Sequence, residues 1–352
     1  MAASLFLVFA CAFAIALGFT ALAIRLGLAL GIADAPGGRR RHARLTSRLG
    51  ALPLFAAFTS AAALSRLLAP PSLDPVEPQR FNGLLLGSVV VCLAALLDDR
   101  FNLPAPTQLV AQLAGAGIAI AHAIFIERFT DPLTRQQVVL PLTFGAVLGW
   151  GLVFALSTFW FLGMMNTVNL LDGVDGLAAS VGAVASAVTF IHMWREGQHS
   201  VALLPVALLG ALAGFLIFNT APARIFLGGG AVYLGYLLAC IGIIGGAKIA
   251  LLVLVMGVPI ADVAWQIVQR VRARRSPLSA DRGHLHLRLA DRGWGARRIT
   301  ATYVLVSASL GTVALLPLSP LSKLIAISAT FAAAFAALSA LSALLTTTPQ
   351  QR

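Results

Sequence analysis

The chain has 352 residues, 59% of them hydrophobic and only 11% charged, with a mean hydropathy of +0.90 and a formal net charge of +12. Soluble globular chains carry about 25% charged residues. A soluble single domain, a disordered chain and a disulfide-rich secreted module are therefore excluded, and a polytopic membrane protein remains.

A membrane helix needs about 20 mostly apolar residues. By that measure the chain holds eleven candidate spans, over 3–33, 49–70, 81–97, 106–126, 145–163, 176–195, 200–219, 230–246, 249–267, 299–317 and 320–345. The first has no Lys or Arg ahead of its apolar core and is followed by further spans, so it reads as a retained helix rather than a secretion signal. The three cysteines, Cys11, Cys92 and Cys240, each lie inside an apolar run and offer neither metal spacing nor a disulfide framework. The expected fold is an all-α integral membrane protein, a single polytopic domain over 1–352, with a basic loop at 268–298.

The basic residues sit in short loops, which points to topology control rather than to nucleic acid as a partner. With eleven spans, the loops that follow odd-numbered spans, together with the C-terminus, hold 18 of the 25 Lys and Arg residues. That bias assigns those loops to the cytoplasm and the N-terminus to the outside, in a multi-pass protein of the inner (plasma) membrane. The same partition places Asp98, Asp99, Asp172, Asp175, Asp262, His284 and His286 on the cytoplasmic side.

Four polar constellations follow in chain order. The first is Asp34-Ala-Pro36-Gly-Gly-Arg39-Arg40-Arg41-His42, a basic loop suited equally to phosphate and to anionic lipid. The second is Leu97-Asp98-Asp99-Arg100, where adjacent carboxylates directly after an apolar run carry an insertion penalty that a divalent cation would offset. Magnesium is held by one or two carboxylates plus substrate phosphates. The third, Asn166-Thr-Val-Asn169-Leu-Leu-Asp172-Gly-Val-Asp175-Gly-Leu, repeats a polar side chain every third residue; on a helix these form one slowly drifting stripe. Gly173 and Gly176 would loosen that helix and admit a ligand to the backbone. The fourth, loop 268–298, holds nine arginines, with Ser276-Pro277-Leu278 and Asp281-Arg282-Gly283-His284-Leu285-His286. Arginine forks suit phosphate oxygens, and two His at i and i+2 project to one side when the segment is extended. Together these define a pocket beside lipid for metal-assisted phosphoryl chemistry between a soluble nucleotide and a lipid phosphate.

These residues resemble the polyprenyl-phosphate N-acetylhexosamine-1-phosphate transferases, a branch of glycosyltransferase family 4, over about 34–290. Asp34-x-Pro36-x-x-Arg39-Arg40-x-His42 is similar to the family's opening motif and Asp98-Asp99 to its paired aspartates. Asn166-x-x-Asn169-x-x-Asp172-Gly-x-Asp175-Gly-Leu is similar to its most characteristic segment. Phe218-Asn219-x-x-Pro222-Ala-Arg224-Ile-Phe226-Leu-Gly228, Pro259-Ile-x-Asp262 and the Asp281 to His286 run follow. The Asp-Arg-x-His-Leu-His form is closer to the undecaprenyl-phosphate GlcNAc-1-phosphate branch than to the peptidoglycan lipid-I translocase.

The resemblance implies eleven helices and transfer of a sugar-1-phosphate from a UDP-sugar to undecaprenyl (polyprenyl) phosphate. UMP is released and a cell-envelope polysaccharide begins. It implies Mg²⁺, with Mn²⁺ as the alternative, and a homodimer. Asp98, Asp99, Asp172 and Asp175 become catalytic, with Asp98, Asp99 and Asp175 on the metal. Arg40, His42, Asn166, Asn169, Asn219, Arg282, His284 and His286 become substrate-binding. The chain departs from the family pattern after Phe226-Leu-Gly228, where an Asp is expected and Gly229-Gly230-Ala231-Val232 stands, one residue short. Gln108 replaces an expected Lys, Leu45 and Ser47 replace prolines, and Ala51 replaces a glycine. These departures favour one alternative, a catalytically weakened or inactive relative that binds lipid phosphate or a partner enzyme. A transporter is the remaining class, but the sequence shows no inverted repeat.

Overall fold

The structure, a computed structural model, describes residues 1–34, 45–72, 74–246, 249–274 and 283–346, and side chains of the final helix only as far as residue 340. Arg40, His42 and Arg282 lie outside the described residues. In chain order the elements are α1 (Ala2–Ala29), β1 (Ala33–Asp34), β2 (Thr46–Ser47), α2 (Ala51–Leu68), α3 (Glu77–Phe101), α4 (Ala105–Ala121), β3 (Arg128–Thr130), β4 (Gln137–Val139) and α5 (Leu140–Phe144). They continue with α6 (Ala146–Leu171), α7 (Leu177–Arg195), α8 (Leu203–Asn219), α9 (Gly230–Ile244), α10 (Ile249–Val255), α11 (Gly257–Arg272), α12 (Leu285–Asp291), α13 (Ala296–Leu315) and α14 (Pro320–Thr346). The strands form two antiparallel pairs, β1 with β2 and β3 with β4.

Seven helices are long and apolar enough to cross a membrane: α1, α2, α3, α6, α7, α13 and Pro320–Ala340 of α14. Helices α10 and α11 pass the same test together but are bent by 81°, an eighth span if the pair is counted as one. The expected count of eleven is therefore not confirmed among the described residues. The other three apolar stretches fold as the shorter helices α4, α8 and α9, because the chain spends their ends in turns. His122 ends α4 four residues before the apolar run stops at Ile126, and Gly245 and Gly246 close α9.

Hydropathy does not distinguish core from lipid-facing helices, but burial does. Nearly every residue of α9 is buried, and it packs against α6, α3 and α7. A helix apolar all round is a core helix when protein surrounds it and a lipid-facing one when it does not. Helix α14 is the second kind, exposed along most of its length. Helix α8 packs on α1 through Gly210 and Gly214, where a Cβ would lie 2.5 Å from Phe9 O and 2.6 Å from Phe13 O; Ala12 and Ala16 line the facing side. In a bilayer this small-residue spacing supplies the close backbone approach that solvent exclusion cannot.

Antiparallel connection brings one set of helix ends together: the C-terminal ends of α1, α3, α6 and α8 and the N-terminal ends of α2, α4, α7 and α9. The opposite end carries Glu77, a buried carboxylate held by Arg66 at 2.9 Å and by Ser200 Oγ at 2.9 Å.

Gly214→Val is expected to lower stability by about 1–3 kcal/mol through overpacking, read as a drop in thermal unfolding temperature in detergent. Gly163→Ala, at a position with open space around it, is the control and leaves that temperature unchanged or higher.

Candidate active site

The site forms where five chain segments meet. Segment 45–50 returns through β2, and Ser47 bridges to Ile225; the Phe226 N–H donates to Ser47 O at 2.9 Å. The Ser47 hydroxyl donates to Ala23 O at 3.1 Å and accepts the Leu49 N–H at 3.3 Å. A serine thus fastens this turn where the family pattern has a proline.

Helix α3 continues past the predicted span end at residue 97, so Asp98 and Asp99 lie in its last turn rather than beyond it. Their carboxylates part. Asp98 Oδ1 accepts the Leu103 N–H at 2.9 Å and Gln108 Nε2 at 3.0 Å, and Gln108 also donates to Leu103 O at 2.9 Å. Gln108 therefore fastens the α3–α4 turn in place of the expected lysine. Asp99 is buried: its Oδ1 accepts the Gly229 N–H at 3.0 Å and lies 3.6 Å from Arg48 Nη2. Arg48 also donates to Asn102 Oδ1 at 2.9 Å and lies 3.8 Å from Asp34. Asp99 Oδ2 is buried with no hydrogen-bond partner among the described residues. Asp98 and Asp172 both lie close enough to act on Asp99 as like charges.

The Gly228–Gly229 turn explains how the shortened segment is accommodated. Gly228 has φ of +57°, and a Cβ there would run into the Asp99 carboxylate. A Cβ on Gly229 would lie 2.7 Å from both Cα and O of Ala95. The turn lies directly against α3, and the backbone N–H of Gly229, where the family's sequence pattern has an acid, donates to Asp99.

The Asn-Asp segment is half helix and half turn. Helix α6 runs to Leu171, eight residues beyond the predicted span, and carries Asn166 and Asn169; Asp172 is its C-cap, and Gly176, at φ of +73°, opens α7. Asn166 Nδ2 donates to Gln112 Oε1 and Leu162 O, both at 2.8 Å, so this amide ties α6 to α4. Asn169 is half-buried one turn later. Asp172 is buried beside Asp99. Asp175 Oδ2 accepts the Ala223 N–H at 3.0 Å, and Asp175 O accepts Thr300 Oγ1 at 3.1 Å. Asn219 Nδ2 donates to Ile225 O at 2.8 Å. Asp175 and Asn219 thus hold the 220–225 turn.

The last segment enters through α12. His284 is its N-cap, with extended φ and ψ, and His286 is in its first turn; the two rings are nearly parallel with centroids 5.9 Å apart. Both are buried, and His286 lies over Gly173, where any Cβ would meet its Nε2. Burial pushes the His286 imidazole down to about 4; Asp262 opposes this and His284 adds to it. Asp262 lies 3.1 Å from His284 Nδ1.

Asp99, Asp172, Gly173, His284 and His286 are therefore brought to one end of the bundle, with Asp98 and Asp175 alongside but turned to backbone amides. Among the described residues no three His, Cys, Asp or Glu side chains are grouped closely enough to hold a metal. The expected set of Asp98, Asp99 and Asp175 is not assembled, because Asp175 faces the 220–225 turn. Sequence reasoning missed Arg48, counted only as a topology charge, and Asp262 as a partner of His284. An acid inside an apolar span was the available signal for Asp262.

This architecture and site define a polytopic membrane protein with a buried acidic centre at one end. The family model for glycosyl transferase family 4 matches residues 81–246. A probable undecaprenyl-phosphate N-acetylglucosaminyl 1-phosphate transferase of Bacillus subtilis is 26% identical over 295 residues, covering 82% of this chain and 77% of the relative. A decaprenyl-phosphate N-acetylglucosaminephosphotransferase of Mycobacterium leprae is 29% identical, covering 79% and 74%. A phospho-N-acetylmuramoyl-pentapeptide-transferase of Shouchella clausii is 38% identical over a shorter stretch, 47% of this chain and 50% of the relative. Residues 81–246 thus resemble glycosyl transferase family 4, and most of the chain is similar to polyprenyl-phosphate N-acetylglucosamine-1-phosphate transferases.

Gly229→Asp, which supplies the missing acid, is expected to destabilise the protein by about 1–3 kcal/mol rather than complete the centre, because Ala95 occupies the space. Thermal unfolding with and without Mg²⁺ checks this. His286 is neutral in the folded state and more basic when unfolded, so the unfolded state binds more protons between about pH 6.5 and 4 and stability falls on acidification through that window, by roughly 3 kcal/mol at most. His286→Gln is expected to flatten that acid limb of a stability-against-pH curve.

Proposed function

We propose that the chain transfers an N-acetylhexosamine-1-phosphate from a UDP-sugar to undecaprenyl or another polyprenyl phosphate, at the cytoplasmic face of the inner membrane, and so begins a cell-envelope polysaccharide. The observation that carries this reading is the buried Asp99 carboxylate, with one oxygen unpartnered and Asp172 beside it. It lies at the bundle end where Arg48 reaches Asp99. The names of the relatives supply the reaction class.

Mg²⁺ fits this centre, and Mn²⁺ fits it in the same way. Both take hard oxygen ligands, and magnesium is held by one or two carboxylates with substrate phosphates completing the shell. Asp99 and Asp172 would hold it, with Asp98 adding negative charge. When bound, the metal neutralises pyrophosphate charge.

In the transfer, a lipid-phosphate oxygen forms a bond to the sugar-bearing phosphorus. The bond from that phosphorus to the bridging oxygen breaks, and the electron pair leaves on UMP. Arg48 and the Gly229 N–H keep Asp99 in place. Asn169 and Asn166, on the end of α6 that leads into Asp172, recognise the nucleotide sugar, as His284 does through Nε2. Arg40, His42 and Arg282, on the two basic loops, hold phosphate oxygens as charge-assisted donors. A homodimer is the assembly we propose. A weakened relative remains the second reading, favoured by the glycine that stands where the family acid is expected.

Purified protein with Mg²⁺ is expected to incorporate radiolabelled sugar phosphate into polyprenyl phosphate, and Asp99→Asn to lower that rate by about 10²-fold or more. No transfer from any of several UDP-sugars would remove the enzyme reading and leave the second.

A further inference from the structure

Helix α11 leaves α10 at an 81° bend. Two buried polar side chains one helical turn apart on α11, Asp262 and Gln266, then face the segment that enters α12. Gln266 Nε2 donates to Gly283 O. Both Asp262 oxygens lie 3.1 Å from the Leu285 N–H, and Oδ2 lies 3.1 Å from His284 Nδ1. The backbone is thus gripped on each side of His284, and the imidazole faces a carboxylate.

An ionised carboxylate only accepts hydrogen bonds, so the ring nitrogen facing it carries the proton. Nε2 is then the free end of the ring. It is buried and has no partner among the described residues. A buried polar atom without a partner costs free energy unless a ligand supplies one. The neighbouring His286 ring lies over Gly173, which seats the pair beside the Asp172–Asp175 turn.

The geometry points to Asp262 as a positioning residue: it holds His284 with the proton on Nδ1, so that Nε2 meets the sugar-phosphate end of the nucleotide sugar. This rests on the transfer reaction proposed above. Asp262 touches no substrate and acts through His284, and its carboxylate also fixes the first amide of α12.

The test uses the full chain in detergent with UDP-GlcNAc, undecaprenyl phosphate and Mg²⁺. Asp262→Ala is expected to lower kcat about 10²-fold, the cost of misplacing one transition-state contact, with a change in KM of no more than about threefold. Asp262→Glu is expected to recover part of that loss. Adding Asp262→Ala to His284→Ala should slow the enzyme no further than about twofold beyond His284→Ala alone, because both changes remove one unit. A double variant about tenfold slower than His284→Ala would overturn the proposal. So would an Asp262→Ala enzyme at wild-type kcat. Where the alanine variant does not purify, Asp262→Asn keeps the shape, removes the charge and takes its place.

A second readout needs no turnover. Nitrogen-15 NMR of the wild type, with His284 assigned by its loss in His284→Ala, is expected to show a protonated Nδ1. UDP-GlcNAc should then shift Nε2. An Nε2-protonated neutral ring sinks the proposal. A wild type that transfers nothing defeats the transfer reaction instead, while the ring signal still decides the pairing.

Discussion

The organising constraint at this end of the bundle is the Asp99 carboxylate, taken out of water in the last turn of a membrane helix. A buried carboxylate is tolerated only when charge and hydrogen bonds surround it. Arg48 supplies the charge from the loop after α1, and the Gly229 amide supplies the hydrogen bond from the turn before α9. Three segments remote in sequence are thereby fixed to one point. Removing either partner leaves a buried acid less compensated, which costs more than the contact itself contributes.

That constraint explains the glycines at the turn. Gly228 and Gly229 bring backbone against α3 because a side chain at either position would meet the acid or Ala95. The residue that distinguishes this chain from the family pattern is therefore coupled to the residue the two share. The turn offers Asp99 an amide donor in place of a neighbouring acid, and the acidic centre narrows to Asp99 and Asp172, with Asp98 and Asp175 committed to nearby backbone. A metal held there leans more heavily on substrate phosphates than one held by three carboxylates.

A second level of organisation lies in the amides and histidines. Asn166 ties α6 to α4, Asn219 and Asp175 shape the 220–225 turn, and Asp262 secures the start of α12. Residues that look alike in a motif divide here between holding the frame and facing its interior. His284 differs from most of them because one ring nitrogen is engaged and the other is buried and open.

The membrane class, the helical fold and the gathering of acids at one end were legible in the sequence, because hydropathy and the alternation of helix ends are local or cumulative properties. The eleven apolar stretches were found, but seven or eight of them fold into helices that meet a span's length and apolarity. Where a helix stops depends on turns such as those at His122 and Gly245, which an apolar window passes over. The polar motifs were legible as a set, and their division of labour was not. Asp98 and Asp99 are neighbours in sequence, yet successive helical side chains point about 100° apart, so one meets Gln108 and the other Gly229. The sequence alone determined which residues are costly enough in a membrane to need partners; only the tertiary structure decided which partner each one has, because a partner can lie as far off in the chain as Gly229 does from Asp99, 130 positions away.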